Sequence, residues 1–358
     1  MTEGRRPACY IHVGPHKTGS SSIKHYALAN LAALDELGLF HPRLKPDGAR
    51  RGRSHDDLAY VDEIRPDGAL KPGAELWPEI DAVARRGEKD ILISEEHLCR
   101  ALADRDVLDR VLTFFETRGY RVAILAYVRD QPAWLNSWYV QSQKRFAGLM
   151  TFDEFVAEAD RRGRVEPAAY LAHFIAEPRC ELEIVSFERA AAAGLEDDFI
   201  RRCGIDPKSP RLVRKPLRNP NAGAKSVFCA QEIMRRLGPG PRLKALDGFV
   251  PVCAGFKRRY VAYGWEATPF VALTEENVAR IRARYAEGNE AFAQEFFGMS
   301  WGELCPAKPF ETSVFDPTQA SWWERMRIEL LVRGTAAKLA GLRAAEAEAK
   351  RRRRAKAG

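Results

Sequence analysis

The sequence predicts a three-layer α/β/α fold around a central parallel sheet, and three observations carry that expectation. Short apolar runs rich in Ile, Val and Leu recur along the chain, at "ACYIHVG", "KDILISE", "YRVAILAYV" and "CELEIVSF". Helix-like stretches alternate with these runs. Each run is short and apolar, as a buried parallel strand must be.

The first run is followed by "SSSIKHYALANLAALDELG", which reads as one helix ending at Gly38, a residue suited to a helix C-terminus. The second leads to "LADRDVLDRVLTFFETRG", closing at Gly119. The third leads to "QPAWLNSWYVQSQKRF", where Pro132 sits at a helix start, the position proline tolerates. Residues 40–80 are rich in Pro, Gly and charge and read as an irregular insert; such long connections are frequently functional. Residues 205–222 form a second Pro- and Arg-rich loop, and 225–300 read as mostly helical. From Ser321 the chain reads as a long Ala-, Arg- and Glu-rich helix. The expected organisation is a main domain over 1–310 and a helical extension with a basic tail over 311–358.

The 358 residues suffice for a large α/β domain with a substantial core. The opening "MTEGRRPACYIHV" does not resemble a signal peptide, and there is no run of 18 apolar residues. Seven scattered cysteines without a CxxC pair argue against a disulfide framework or a zinc site and suit a reducing cytoplasm. The net charge is +8, but the last nine residues, "KRRRRAKAG", carry six of the cations, so the rest is near +2. The body is therefore not generally basic, and specific nucleic-acid binding is not expected.

The stretch "YIHVGPHKTGSSSI" carries the most chemistry. A strand, a glycine-containing turn and a helix follow in order. A helix N-terminus offers unpaired amides and the positive end of its dipole, Lys17 adds a full charge, and the hydroxyls of Thr18, Ser20, Ser21 and Ser22 add donors. Such a set suits a phosphate or sulfate. The GxxxxGK[ST] pattern of nucleotide hydrolases fails, because Lys17 precedes Gly19.

"PHKTGSSS" resembles the 5′-phosphosulfate loop of sulfotransferases that use PAPS (3′-phosphoadenosine 5′-phosphosulfate). The family's second fingerprint, an Arg after a later strand and a Ser in the next helix, has its counterpart in "VRDQPAWLNS", with Arg129 and Ser137. "ILISEEHL", "FERAAAAGLEDDFIRRCGID", "RNPN" and "YAEGNEAFAQEFFG" resemble further segments of bacterial carbohydrate-type members, over roughly residues 8–303. The loop departs from the commonest form by having Ser where Thr is frequent, and a hydroxyl is retained.

The resemblance implies a P-loop-NTPase-like α/β/α sulfotransferase domain and PAPS as donor, with no metal required. It implies cofactor contacts from His16, Lys17, Thr18, Gly19, Ser20, Ser21, Ser22, Arg129 and Ser137. Lys17 would stabilise the leaving group, and Glu96, in the pattern Ser94-x-Glu96, would take the acceptor's proton. Glu95 and His55, in "GRSHDDLAY", are rival bases. The acceptor would be a hydroxyl or amine, with a saccharide implied. Arg214, Lys215, Arg218 and Asn221 are candidates for closing over an anion or are solvated surface. Trp134, Trp138 and Tyr139 stack on a ligand or belong to a core. His12 reads as a core residue, and His97 and His173 carry no comparable signal.

Two competing readings stay open. One is a P-loop-type kinase or NTPase. The other is a non-catalytic protein that binds membrane or nucleic acid through its basic tail. Peripheral membrane contact, self-association and simple domain packing are all compatible with the last helix.

Overall fold

The computed structural model describes residues 5–42, 58, 61–214, 222–240 and 242–357. They fall into two compact units, each built from separated stretches of chain.

The first unit comprises Met1–Asp130, Gly163–Leu217 and Arg284–Ala307. Its strands are β1 (Ala8–Gly14), β2 (Leu39–Phe40), β3 (Asp90–Ser94), β4 (Arg121–Val128) and β5 (Cys180–Ser186). They form a five-stranded sheet of order β2-β3-β1-β4-β5, in which every pairing is parallel. Early in the chain come α1 (Ser20–Ala29), α2 (Leu31–Glu36), α3 (Pro78–Arg86), α4 (Leu98–Ala101) and α5 (Arg105–Glu116).

Two helices of the second unit follow, α6 (Gln131–Lys144) and α7 (Phe152–Arg161). The first unit resumes with α8 (Pro167–Ile175), α9 (Phe187–Ala193) and α10 (Leu195–Arg202). The second unit, Gln131–Arg162, Arg218–Ala283 and Lys308–Gly358, also holds α11 (Ala224–Leu237) and α12 (Phe249–Ala262). Helix α13 (Glu275–Phe297) contributes residues to both units. Helix α14 (Trp301–Leu304) belongs to the first, and α15 (Trp322–Ala357) to the second.

Strand alternation explains the three layers, since successive side chains leave opposite faces. Cys9, Ile11 and Val13 of β1, with Val122, Ile124 and Ala126 of β4, join one core. It includes Val83 of α3, Phe114 and Phe115 of α5, Phe174 of α8 and Phe292 of α13. Tyr10 of β1, Leu92 of β3, and Leu125 and Tyr127 of β4 join the other, with Ile23 and Tyr26 of α1 and Phe199 and Ile200 of α10. A sheet buried on both faces at its centre is why β1, β3 and β4 read as continuous apolar runs, whereas β5, at the edge, carries Glu181 and Glu183. The expected three-layer α/β/α fold with a central parallel sheet is the one observed.

Two local expectations are corrected. The sheet has a fifth strand, β2, at its edge; its two residues pair only with Asp90 and Ile91, too short to leave a pattern. The first long helix is broken at Asn30, which has left helical geometry (φ −117°, ψ 18°). The Asn30 amide donates to the Tyr26 and Val213 carbonyls, at 2.9 and 3.1 Å, and its Oδ1 accepts from Val213 N at 2.6 Å. A buried side chain thus captures the backbone of a distant segment at the helix break.

In the second unit, α15 packs on α11 and α12. Ile328, Leu331, Val332, Ala336 and Leu339 of α15 share a core with Cys229, Ala230 and Ile233 of α11 and Phe256 and Tyr260 of α12. Trp134 and Tyr139 are buried in this unit, and Trp138 is half-buried, stacked on Trp134 with ring centroids 5.6 Å apart. Tyr139 donates its hydroxyl to the Met150 carbonyl at 2.8 Å.

Candidate functional site

Strands β1, β3 and β4 are adjacent, so their carboxyl ends open onto one edge of the sheet, where ligands of open α/β sheets bind. After β1 the chain turns through residues of positive φ: Gly14 (87°), Lys17 (71°) and Gly19 (83°). Gly19 also packs closely, so any larger residue would make the Leu195 side chain shift. A Cβ there would lie 2.0 Å from Leu195 Cδ2 and 3.2 Å from Phe187 Cε2. The turn closes by Thr18 Oγ1 donating to the Pro15 carbonyl at 2.7 Å, and α1 starts as Ser22 N and Ile23 N donate to the Gly19 carbonyl.

The five expected loop donors are not equivalent. Thr18 is fully buried and its hydroxyl proton serves the turn. Ser20 is 2 % exposed and its Oγ has no hydrogen-bond partner, an unusual state for a buried hydroxyl. Ser21 is exposed, and Lys17 and Ser22 are half-buried.

Arg129 follows β4 directly and reaches back to this turn. Its Nη1 donates to the Lys17 carbonyl at 2.7 Å. Its Nε lies 3.5 Å from Glu188 Oε1 and forms no hydrogen bond, and the guanidinium sits 4.8 Å from the Phe187 ring centroid. Burial lowers the Arg129 pKa while Glu188 and Asp130 oppose it. The group stays charged, as guanidinium does in proteins. Ser137 lies half-buried in α6, within the second unit.

The end of β3 supplies a charge cluster. Lys24 of α1 is 7 % exposed, and its Nζ lies 3.4 Å from Glu95 Oε2 and in direct contact with Glu96 Oε2. Glu95 is fully buried, and its Oε1 accepts from His97 N at 2.9 Å and pairs with His97 Nδ1 at 2.7 Å. His16 Nδ1 lies 3.8 Å from Glu96 Oε1, and the His16 and His97 rings are 5.0 Å apart. Burial alone would raise the Glu96 pKa, but His16 and Lys24 outweigh it and hold the carboxyl well below the usual range. The expected cofactor-loop residue His16 and the expected base Glu96 are thus neighbours.

His12 is a buried core residue, as expected. Its Nδ1 pairs with Ser94 Oγ at 2.8 Å, and its pKa is pushed down to about 4 by burial. Arg214 is exposed and paired with Asp197 at 2.7 Å. His55, Lys215, Arg218 and Asn221 lie outside the described residues.

Three side chains at this edge were not singled out from the sequence. Lys24 shares the buried face of α1 with Ser20, Ile23 and Ala27, and a lysine on an apolar helix face needs an anionic partner. That was its signal. His97 stands two residues from Glu95, close enough for the local pairing observed. Glu188 follows β5 at the carboxyl edge, where its position was the only cue.

Fold and edge together define a parallel α/β protein of P-loop-like topology with a donor-rich turn after its first strand. No protein-family model matches the chain, and no curated protein matches it. Among solved structures, a sulfotransferase from Alicyclobacillus acidocaldarius is similar over 59 % of this chain and 87 % of that one, at 17 % identity and a TM-score of 0.34. A likeness that faint carries no argument, so the functional reading rests on the residues.

Proposed function

We propose that this chain is a PAPS-dependent sulfotransferase that moves a sulfuryl group to a hydroxyl or amine, with a saccharide as acceptor. The observation that carries the reading is the 2.7 Å bond from Arg129 to the Lys17 carbonyl. It joins the two sequence motifs of the family at one edge of the sheet. The buried Ser20 Oγ, which has no partner, and Arg129, whose Nε has only a long ion pair to Glu188, are donors that such an anion would satisfy, so the residues fit the donor.

PAPS, when bound, supplies the activated sulfuryl group and a bisphosphate leaving group. Lys17, the amides at the start of α1 and the Ser20, Ser21 and Ser22 hydroxyls hold its 5′ end and stabilise negative charge there. Arg129 holds the 3′-phosphate, and Ser137 is assigned to it by the motif alone. Glu96 is ionised and so able to accept a proton. The cations that keep it ionised also make it a weak base. His97, its Nδ1 pinned by Glu95, is the alternative acceptor that this geometry favours, beside the sequence-based Glu95 and His55.

The test is calorimetric titration with adenosine 3′,5′-bisphosphate beside ATP, on wild type, Lys17→Ala and Arg129→Ala, each checked for folding by its thermal melt. The expected result is bisphosphate binding that either change weakens roughly tenfold to a hundredfold, with ATP far poorer. A folded wild type that ignores the bisphosphate would overturn the reading, and one that binds ATP instead would favour a nucleotide kinase or NTPase.

A further inference from the structure

Helix α15 holds eleven Lys and Arg against four Glu, a net +7, while the whole chain is only +8. Almost all of the protein's charge imbalance therefore sits on one helix of 36 residues. One face of that helix is used: Ile328, Leu331, Val332, Ala336 and Leu339 are buried against α11 and α12.

The opposite face is unlike an ordinary solvated surface. Trp322 and Trp323 are 65 % and 63 % exposed, with ring centroids 4.5 Å apart, and Leu330 is 57 % exposed. Trp323, Leu330 and Ala337 are spaced by seven residues, which at 3.6 residues per turn keeps them on one outer ridge. Continued along the helix, the ridge reaches Arg351 and Arg352, at the start of the exposed run Arg351–Arg354. Arg327 and Arg333, both exposed, flank it nearer the tryptophans.

We infer that the outer face of α15 docks on an anionic lipid surface. Indole rings suit the boundary between headgroups and acyl chains, having an apolar body and one polar N–H. The cations along the same helix complement a negative leaflet and act within a Debye length of it. A second copy of the chain is disfavoured, because pairing two such ridges would bring two helices of net +7 together. Nucleic acid would use the cations and leave the paired tryptophans and Leu330 without a role. No helix among the described residues is long and apolar enough to cross a membrane, so the contact is peripheral.

The experiment is co-sedimentation of the full chain with vesicles of phosphatidylcholine, alone or with phosphatidylglycerol added, at about 0.1 M and about 0.5 M salt. Two variants accompany it, Trp322→Ala with Trp323→Ala, and Arg351→Glu through Arg354→Glu. All six side chains are exposed, and a thermal melt confirms the fold of each variant.

The expected result is binding only where phosphatidylglycerol is present, lost at the higher salt. The tryptophan variant should bind roughly tenfold more weakly, and the glutamate variant at least roughly a hundredfold more weakly. Four results would overturn the inference. One is no sedimentation with anionic vesicles, and another is equal binding by wild type and both variants. The third is a tighter grip on duplex RNA that the tryptophan change leaves untouched. A dimer in sedimentation equilibrium that the tryptophan change dissociates would overturn it too, assigning the ridge to a second copy.

Discussion

At the carboxyl edge of the sheet, one lysine and two glutamates sit almost without solvent. Along α15, eleven cations stand against four carboxylates and most of them face water. The difference lies in what each arrangement can specify. Buried charges must be matched atom by atom, because an unpaired one costs several kcal/mol, so Lys24, Glu95 and Glu96 fix one geometry. Exposed charges are screened and individually cheap, so those of α15 define the sign of a field and no particular contact.

The sharpest way to break this contrast is Lys24→Met. It strands Glu95 and part of Glu96 in the interior and should cost about 3–5 kcal/mol, read as a fall in the denaturation midpoint. Adding Glu96→Gln to it should recover part of the loss, because one stranded charge is then gone. A cost under about 1 kcal/mol for Lys24→Met would mean that the cluster behaves like a surface pair.

A smaller effect concerns pH. Burial pushes the pKa values of His12 and His41 down to about 4 in the folded chain, from an ordinary value near 6.5. Below the ordinary value the unfolded chain binds protons that the folded chain refuses. The stability these residues contribute is thus complete above about pH 6.5 and drains away as pH falls toward about 4. Equilibrium unfolding across that window should show the slope, and His41→Gln should flatten it; an unchanged slope would refute the assignment for His41.

The smallest effect is expected on α15. Arg351→Glu through Arg354→Glu should change global stability by at most about 1 kcal/mol, because these residues sit in the last turns of a helix, where the end frays. A large drop in melting temperature would show that the cations hold the fold, and would erase the contrast.

The central strands were legible because strands buried on both faces have to be apolar throughout, and the turn after β1 because Gly14 and Gly19 mark the positive φ values that a tight strand-to-helix turn requires. What escaped depended on distant partners. The break at Asn30 is made by Val213, 183 residues away. Strand β2 exists because a neighbour accepts it at the edge. Lys24 lies seven positions beyond Lys17 and is 71 and 72 residues from its carboxylates. His97 is the contrary case, since its partner Glu95 is local and the pairing could have been drawn from "SEEHL" alone.

Ser186, at the end of β5, donates its hydroxyl to the Leu304 carbonyl, and Arg189 in α9 donates to the carbonyl of Glu303. The first of these bonds spans 118 residues of chain. At about 5–20 residues per second, the ribosome takes roughly 6–24 s to deliver the second partner after the first. Through that interval the whole of the stretch Arg218–Ala283 is made, and the two bonds to the Glu303–Leu304 segment cannot form. The end of β5 is therefore closed only after most of the chain has been made.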